Sequence, residues 1–350
     1  MADRIRVLIL TATNLKTSTG SMNTVQNLLD NLDAEKYTIS IGLLDDLIPK
    51  RLMISKKELS KDPTYVPPEK IVGHQKVSKV YKIGDLTISE MKGLFDVAIV
   101  AIYNEFGEDG KTLGLLELAD IPYLSPGLKS SAVSFDKSFT KALLQNSGIP
   151  TSKSVEINKS FSMDKISRMA KTVSYPLMVK PTSNGASRGT TLVKNYADLV
   201  TAVEAAFEFS DEILLEKFIE GQEFTVGVIG HYTKPKALPP VLIKPKNTFF
   251  DYQSKYVKGH AEEICPAPIT GQTESRLKEM AIKTYQAVKA DNHARIDMIL
   301  KGGKIYVLEI NSFPGLIAAS LFPKELKAAG IPLSDFLDTS IRNKLLSKKS

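Results

Sequence analysis

Two carboxylates, an amide and an arginine sit at alternate positions in ARIDMILKGGKIYVLEINSFPG, residues 294–315. Alternate residues of a strand share a face, so Arg295 points with Asp297 and Glu309 with Asn311. Carboxylate and amide oxygens are hard ligands suited to Mg²⁺, which keeps waters and takes the rest of its shell from phosphates. An arginine beside them supplies fixed positive charge for a transferring phosphoryl group or an oxyanion. A merely solvated hairpin face would mix in Lys, Thr and Ser. Whether the two pairs meet depends on the turn, for which Gly302-Gly303 is a strong hairpin signal. A two-residue turn pairs 301 with 304 and sends Asp297 and Glu309 to opposite faces. An odd-length loop pairs 297 with 307 or 309 and gathers all four. The expectation is the odd loop, because four polar residues on apolar strands need a common reason.

A second stretch, KPTSNGASRG at 180–189, follows the apolar run PLMVK. It is either a phosphate loop or an ordinary turn between strands. Small residues around Gly185 and Gly189 would let backbone N–H groups approach an anion closely.

The elements that must position these groups read as an α/β start followed by α+β lobes. Ile5 to Leu10, Tyr37 to Leu44 and Phe95 to Ile102 are strand-like, with a helix over Met22 to Leu32. Strands separated by helices imply a parallel sheet. Residues 46–92 are polar and proline-bearing and read as a loop-rich excursion. YLSPGLKSS near 125 marks a boundary. Asp136 caps a helix with Phe139, Leu143 and Leu144 on one face, stopped by Gly148 and Pro150. TTLVK at 190–194 is the hairpin partner of PLMVK. Asp198 opens a helix carrying Leu199, Ala202, Val203 and Ala206 at helical spacing. EILLEKFIEG and EFTVGVIG are strands, and Leu277, Met280, Ala281, Tyr285 and Val288 form a further helix face. The expected domains are 1–126, 127–214 and 215–350.

Composition bounds the function. The 350 residues are 43% apolar and 24% charged, as in a soluble globular protein, and no run approaches a membrane span. The apolar segment after MADRIR is too short for a signal-peptide core. Cys265 is the only cysteine, so a reducing, cytoplasmic setting is expected. Four scattered histidines offer no zinc-like spacing. The net charge of +7 is spread along the chain without interleaved aromatics. That suits a polyanionic small ligand better than nucleic acid.

The motifs FGEDGKTLGLLELADIPYLSPG, DK at 136–137, VKPTSNGASRG, LLEKFIEGQEFTVGVIG, FFDYQSKY, RIDMIL and LEINSFPG, followed by SLFP, occur in one order and spacing. With them the chain resembles the ATP-grasp ligases, and within these the D-alanine–D-alanine ligases, over nearly everything after residue 95. The resemblance implies the ATP-grasp fold: an N-terminal parallel α/β domain, a small central α+β lobe and a C-terminal α+β lobe with an antiparallel sheet. It implies that Lys137 and Lys180 meet the α- and β-phosphates, under a loop at 183–189 that includes Gly185, Ala186, Ser187 and Gly189. Glu216 and the backbone of Lys217 to Phe218 would read the adenine, Glu223 the ribose, and Lys255 the γ-phosphate. Asp297, Glu309 and Asn311 match the metal ligands, for two Mg²⁺ ions or Mn²⁺. Arg295 and Gly315 match the oxyanion groups, Ser320 helps bind the second substrate's carboxylate, and Tyr256 belongs to site closure. The implied reaction phosphorylates a carboxylate with ATP, and an amino acid's amine then displaces phosphate. Small-molecule substrates are implied, with no nucleic acid or membrane partner and with homodimers common in the family.

The chain departs from the family at one subsite. The usual Gly-Gly-x-Ser-x-Glu stretch is replaced by LTATNLKTSTGSMNTVQ, with no acidic residue between Asp3 and Asp30. The usual histidine of the Gly-Glu-Asp-Gly motif is Tyr103, and the usual loop serine is Ala186. These losses predict a first substrate other than D-alanine. The alternatives are a D-alanine–D-alanine ligase in which Glu105 or Tyr103 replaces the glutamate, and a nucleotide-binding protein without catalysis. The oxyanion arginine and metal residues speak against the last.

Overall fold

A computed structural model describes residues 4–13, 20–59, 66–185, 187–246 and 261–348. Its residues cluster into two compact units. One comprises Met1–Ala132, Asp291–His293 and Ser312–Ser350; the other, Val133–Ala290 and Ala294–Asn311.

The first unit is built on β1 (Ile5–Thr11), β2 (Tyr37–Leu43), β3 (Val77–Lys82), β4 (Val97–Val100) and β5 (Tyr123–Leu124). They form one parallel sheet in the order β3-β2-β1-β4-β5. Helices α1 (Ser21–Asn31), α2 (Ile88–Leu94) and α3 (Lys111–Leu118) connect them. Val7 to Leu10 are fully buried, as a central parallel strand covered on both faces requires. Strand β3 corrects the loop-rich reading of 46–92. Its sequence VSKVYK is half-exposed and carries two lysines, which suits a sheet edge but hides the strand in a hydropathy pattern.

The second unit holds two sheets. The smaller is antiparallel, ordered β6-β9-β7-β8, from β6 (Ser154–Asn158), β7 (Leu177–Pro181), β8 (Thr191–Val193) and β9 (Glu212–Lys217). The larger comprises β10 (Gln222–Ile229), β11 (Lys236–Ala237), β12 (Val241–Pro245), β13 (Ala261–Ile264), β14 (His293–Lys301) and β15 (Lys304–Asn311), in the order β13-β12-β10-β14-β15 with β11 beside β10.

Helix α4 (Lys137–Asn146) precedes the small sheet, and α5 (Met163–Val173) and α6 (Tyr196–Phe207) bury Ile166, Ala170, Leu199 and Val203 against its Leu177, Val179, Ile213 and Leu215. Helix α7 (Gly271–Ala287) buries Leu277, Ala281 and Tyr285 among Phe224, Val226 and Val228. Each of the Val, Leu, Ile and Phe side chains among them contributes about 1.5–3 kcal/mol of burial. The chain then returns to the first unit with α8 (Leu321–Ala328) and α9 (Leu333–Ser347).

Two helix readings need correction. Helix α6 starts two residues before Asp198: Asn195 is its cap and accepts from the Asp198 N–H at 3.1 Å. On α4 the Asp136 cap is as expected, accepting from the N–H of Ser138 and Phe139. Its buried stripe, however, is Thr140, Lys141 and Leu144, while Phe139 is 67% exposed. A lysine displaces an aromatic from the buried face because its charge is matched there.

Candidate active site

The acidic hairpin turns on two residues, Gly302 (φ 55°) and Gly303 (φ 77°), with Lys301 opposite Lys304. This overturns the odd-loop expectation. Both glycines occupy the left-handed region that a tight hairpin turn demands. From that turn alone, Asp297 and Glu309 would face opposite sides. A bulge intervenes: Met298 pairs with Val307, yet Asp297 pairs with Glu309 and Arg295 with Asn311, so Leu308 is the extra residue. One inserted residue flips the alternation, and all four polar groups come together.

Arg295 and Asp297 are 7% and 5% exposed. The arginine Nε donates to Asp297 Oδ1 (3.1 Å) and Thr225 Oγ1 (2.8 Å), and Nη2 donates to Asp297 Oδ2 (3.1 Å). The Thr225 hydroxyl donates to Asp297 Oδ1 at 2.5 Å. A bidentate pair of this kind fixes the guanidinium plane. Asn311 Oδ1, by contrast, is buried without a hydrogen-bond partner among the described residues. An orphaned amide oxygen two residues from Glu309, which itself lies opposite Asp297, makes with those two carboxylates a fitting donor set for a hard cation. Among the described residues no three His, Cys, Asp or Glu side chains cluster as a metal site.

The loop after β7 is tied to the start of α4. Lys137 N–H donates to Thr182 O (2.9 Å), Lys137 Nζ to Asn184 O (2.6 Å) and Ser183 Oγ to Asp136 Oδ2 (3.2 Å). Ser187 and Gly189 have φ of 56° and 69°. A Cβ on Gly189 would stand 2.7 Å from the Phe209 ring and 2.9 Å from Pro181, so only glycine fits. Gly185 lies between these anchors, and Ala186 lies outside the described residues, as do Lys255 and Tyr256.

Lys180, at the end of β7, reaches Glu216 Oε2 at 2.8 Å. Glu216, on β9, is 2% exposed and its Oε1 also meets Lys141 Nζ at 2.7 Å and the Ser152 hydroxyl. Burial alone would push the Glu216 carboxyl up; Lys141 and Lys180 outweigh it and hold it well below the usual carboxylate range. Burial pulls the Lys141 ammonium down against the opposing charge of Glu216. Lys180 is also drawn down by burial, but Glu216 reverses this and raises it. The N–H groups of Lys217 and Phe218 donate to Lys153 O (2.8 Å) and Pro176 O (3.1 Å). Glu223 lies on β10 opposite Ile243.

In the first unit, Gly315 packs under Ser320, where a Cβ would stand 2.5 Å from the serine Oγ. Ser320 is the N-cap residue of α8, but its hydroxyl makes no capping bond. The Tyr103 hydroxyl shares a 2.6 Å hydrogen bond with Thr24 Oγ1. In the same loop, Glu108 Oε1 accepts from Asn104 N–H (2.8 Å) and Asp109 Oδ2 from Phe106 N–H (3.0 Å). Those two acids therefore brace a loop in which Asn104 and Phe106 both have positive φ.

Sequence reasoning missed Lys141, Ser152 and Thr225. Lys141 could have been found from its phase, one helical turn after Lys137 and three residues before the buried Leu144.

A family model described as the D-ala D-ala ligase C-terminus matches residues 143–342, more than half of the chain. The chain belongs to the D-alanine–D-alanine ligase family. A relative named D-alanine–D-alanine ligase, from Clostridium beijerinckii, is 38% identical, with the match covering 74% of this chain and 83% of the relative. The crystal structure of the Bacillus anthracis D-alanine–D-alanine ligase complexed with ATP superposes with a TM-score of 0.74 at 28% identity, over 99% of both chains. The VanG D-Ala:D-Ser ligase of Enterococcus faecalis gives 0.76 at 25%, over 99% of this chain and 100% of that one. The fold is thus the ATP-grasp fold, and the protein is an ATP-dependent, ADP-forming carboxylate–amine ligase. No helix among the described residues is long and apolar enough to cross a membrane.

Proposed function

We propose that the protein joins two D-alanines. The relatives named for that reaction favour D-alanine over the divergent first substrate that the sequence departures suggest. The observation that carries the chemistry is the bulge-corrected hairpin, which gives one face a buried Arg295–Asp297 pair and the orphaned Asn311 Oδ1.

In this reading a D-alanine carboxylate attacks the γ-phosphate of ATP, giving an acyl phosphate and ADP. The amine of the second D-alanine then displaces phosphate. Asp297, Glu309 and Asn311 would hold Mg²⁺, which when bound offsets phosphate charge and polarises the transferring group. Arg295, its plane fixed by Asp297, stabilises charge developing on the oxyanion, with the backbone at Gly315. Ser320 receives the second substrate's carboxylate, and its hydroxyl is not spent on its own helix. Lys137, Lys180 and the loop of Gly185, Ala186, Ser187 and Gly189 hold the phosphates, and Lys255 the γ-phosphate. Tyr256 closes the site. Glu216 and the carbonyls of Lys217 and Phe218 read the base, and Glu223 the ribose.

One observation keeps a second reading in play. Tyr103, which stands in the place of the family's usual histidine, shares a hydrogen bond through its hydroxyl with Thr24, and no acidic residue lies between Asp3 and Asp30 to supply the family's glutamate. That suits a first carboxylate without an α-ammonium. ADP release from ATP, with D-alanine as the amine and a panel of carboxylates as first substrate, separates the two. D-alanine should be the best acid of the panel; a better acid lacking the α-ammonium would establish the second reading.

A further inference from the structure

Among the described residues, Lys141 is the one buried cation of the second unit that the reaction above does not use. Its side chain is 4% exposed and lies one helical turn beyond Lys137 on α4. The ammonium has three donors and three acceptors: Thr151 Oγ1 at 2.9 Å, Ser152 Oγ at 2.8 Å and Glu216 Oε1 at 2.7 Å. Nothing is left over for a ligand.

The two oxygens of Glu216 are held very differently. Oε1 is fastened by Lys141 and by the Ser152 hydroxyl. Oε2 meets the Lys180 ammonium at 2.8 Å without hydrogen-bond alignment, and it is buried with no other hydrogen-bond donor among the described residues. Lys180 is the more exposed of the two lysines, with 16% of its side chain accessible. It sits where β7 enters the glycine loop. An anionic phosphate chain in that loop competes with Glu216 for Lys180. A buried carboxylate left with no counter-charge at all is strongly disfavoured, and Lys141 is what remains beside Glu216 once Lys180 has turned away. Lys141 cannot follow the phosphates, because its stem is packed in α4 and its donors are spent.

We propose that Lys141 is a positioning residue: it remains the fixed counter-charge of Glu216 when Lys180 turns to the phosphates, and so sets the preference for a base bearing an amino donor. Oε2 is then a hydrogen-bond acceptor with a lone pair unused, aimed by a carboxylate whose other oxygen is clamped. An exocyclic amine, as on adenine, satisfies it. A carbonyl oxygen, as on guanine, meets it with like charge and leaves both groups unpaired, the mismatch that polar sites reject most strongly. This inference rests on the reading of Glu216 as the base-facing residue.

The test compares steady-state kinetics with ATP and GTP for the full-length wild type and Lys141→Met, Lys141→Arg, Ser152→Ala and Glu216→Gln. Lys141→Met should raise KM for ATP at least 10-fold with a smaller change in kcat, and shrink the ATP-over-GTP ratio of kcat/KM at least 10-fold. Lys141→Arg should recover part of that preference, since it restores the charge. A purely structural role would lower the melting temperature and kcat while leaving the nucleotide ratio where it was, which overturns the proposal. Should the methionine variant not fold, Ser152→Ala decides. A loss of nucleotide preference of about threefold supports the clamp on Oε1, and an unchanged ratio overturns it. Glu216→Gln separates the two layers. If it leaves both KM for ATP and the ratio unchanged, the base-site reading itself fails. If it moves them while a folded Lys141→Met does not, only the role of Lys141 falls.

Discussion

At the residue scale the account stands on a few buried side chains whose partners fix their geometry. Arg295 is aimed by Asp297 and Thr225, so changing Arg295 to Ala removes both the charge and the anchor of a buried carboxylate. A preorganised donor of this kind is worth about 10²–10³ in kcat. Arg295→Ala should cost at least that in ADP release, with a smaller effect on KM for ATP. A kcat within threefold of wild type would remove Arg295 from the chemistry. The residue types themselves were readable in the sequence, because a strand places alternate polar groups on one face. Lys141 was overlooked, since a lysine in a helix ordinarily faces solvent; its phase with Leu144 marks the buried face, and its pairing with Glu216 explains why a charge can sit there.

At the element scale the decisive feature is one extra residue. The Gly302-Gly303 turn was legible, and by itself it predicts the wrong facing of Asp297 and Glu309. Leu308 restores the common face, and nothing in its side chain announces a bulge; the register is set by which residues the sheet buries. Deleting Leu308 should keep the hairpin but turn Glu309 and Asn311 away from Asp297. Circular dichroism should stay close to wild type while ligation falls below detection. Full activity in a folded deletion would mean that the two strands do not meet at the reacting groups. Strand β3 was illegible for a different reason: an edge strand carries lysines that protect it from pairing, so its pattern resembles a polar loop.

At the scale of the whole molecule, stability should depend on His293. It packs against Phe322 and Phe336, which also touch each other, and is 5% exposed. Burial, aided by Lys344 and opposed by Asp291, lowers its pKa from 6.5 to about 4. A base with a depressed folded pKa binds fewer protons folded than unfolded, so its contribution is complete above the unfolded value. It is lost as pH falls from about 6.5 toward about 4, by at most roughly 3 kcal/mol. Urea melts across that window should show the slope, and His293→Gln should flatten it; an equal slope in the variant would place the titration elsewhere.

The fold class was legible because the parallel strands alternate with helices and the glycine loop and hairpin keep their spacing. The subsite of the first carboxylate was not, because Tyr103 and Ala186 tell what is missing without telling what replaces it.

The central claim is that this hairpin and loop ligate D-alanine. The direct measurement supplies the purified protein with ATP, Mg²⁺ and D-alanine alone, and follows ADP and dipeptide mass together. The account predicts one D-alanyl-D-alanine per ADP, abolished in Asp297→Ala. ADP formation with no dipeptide, or dipeptide undiminished in Asp297→Ala, would contradict it.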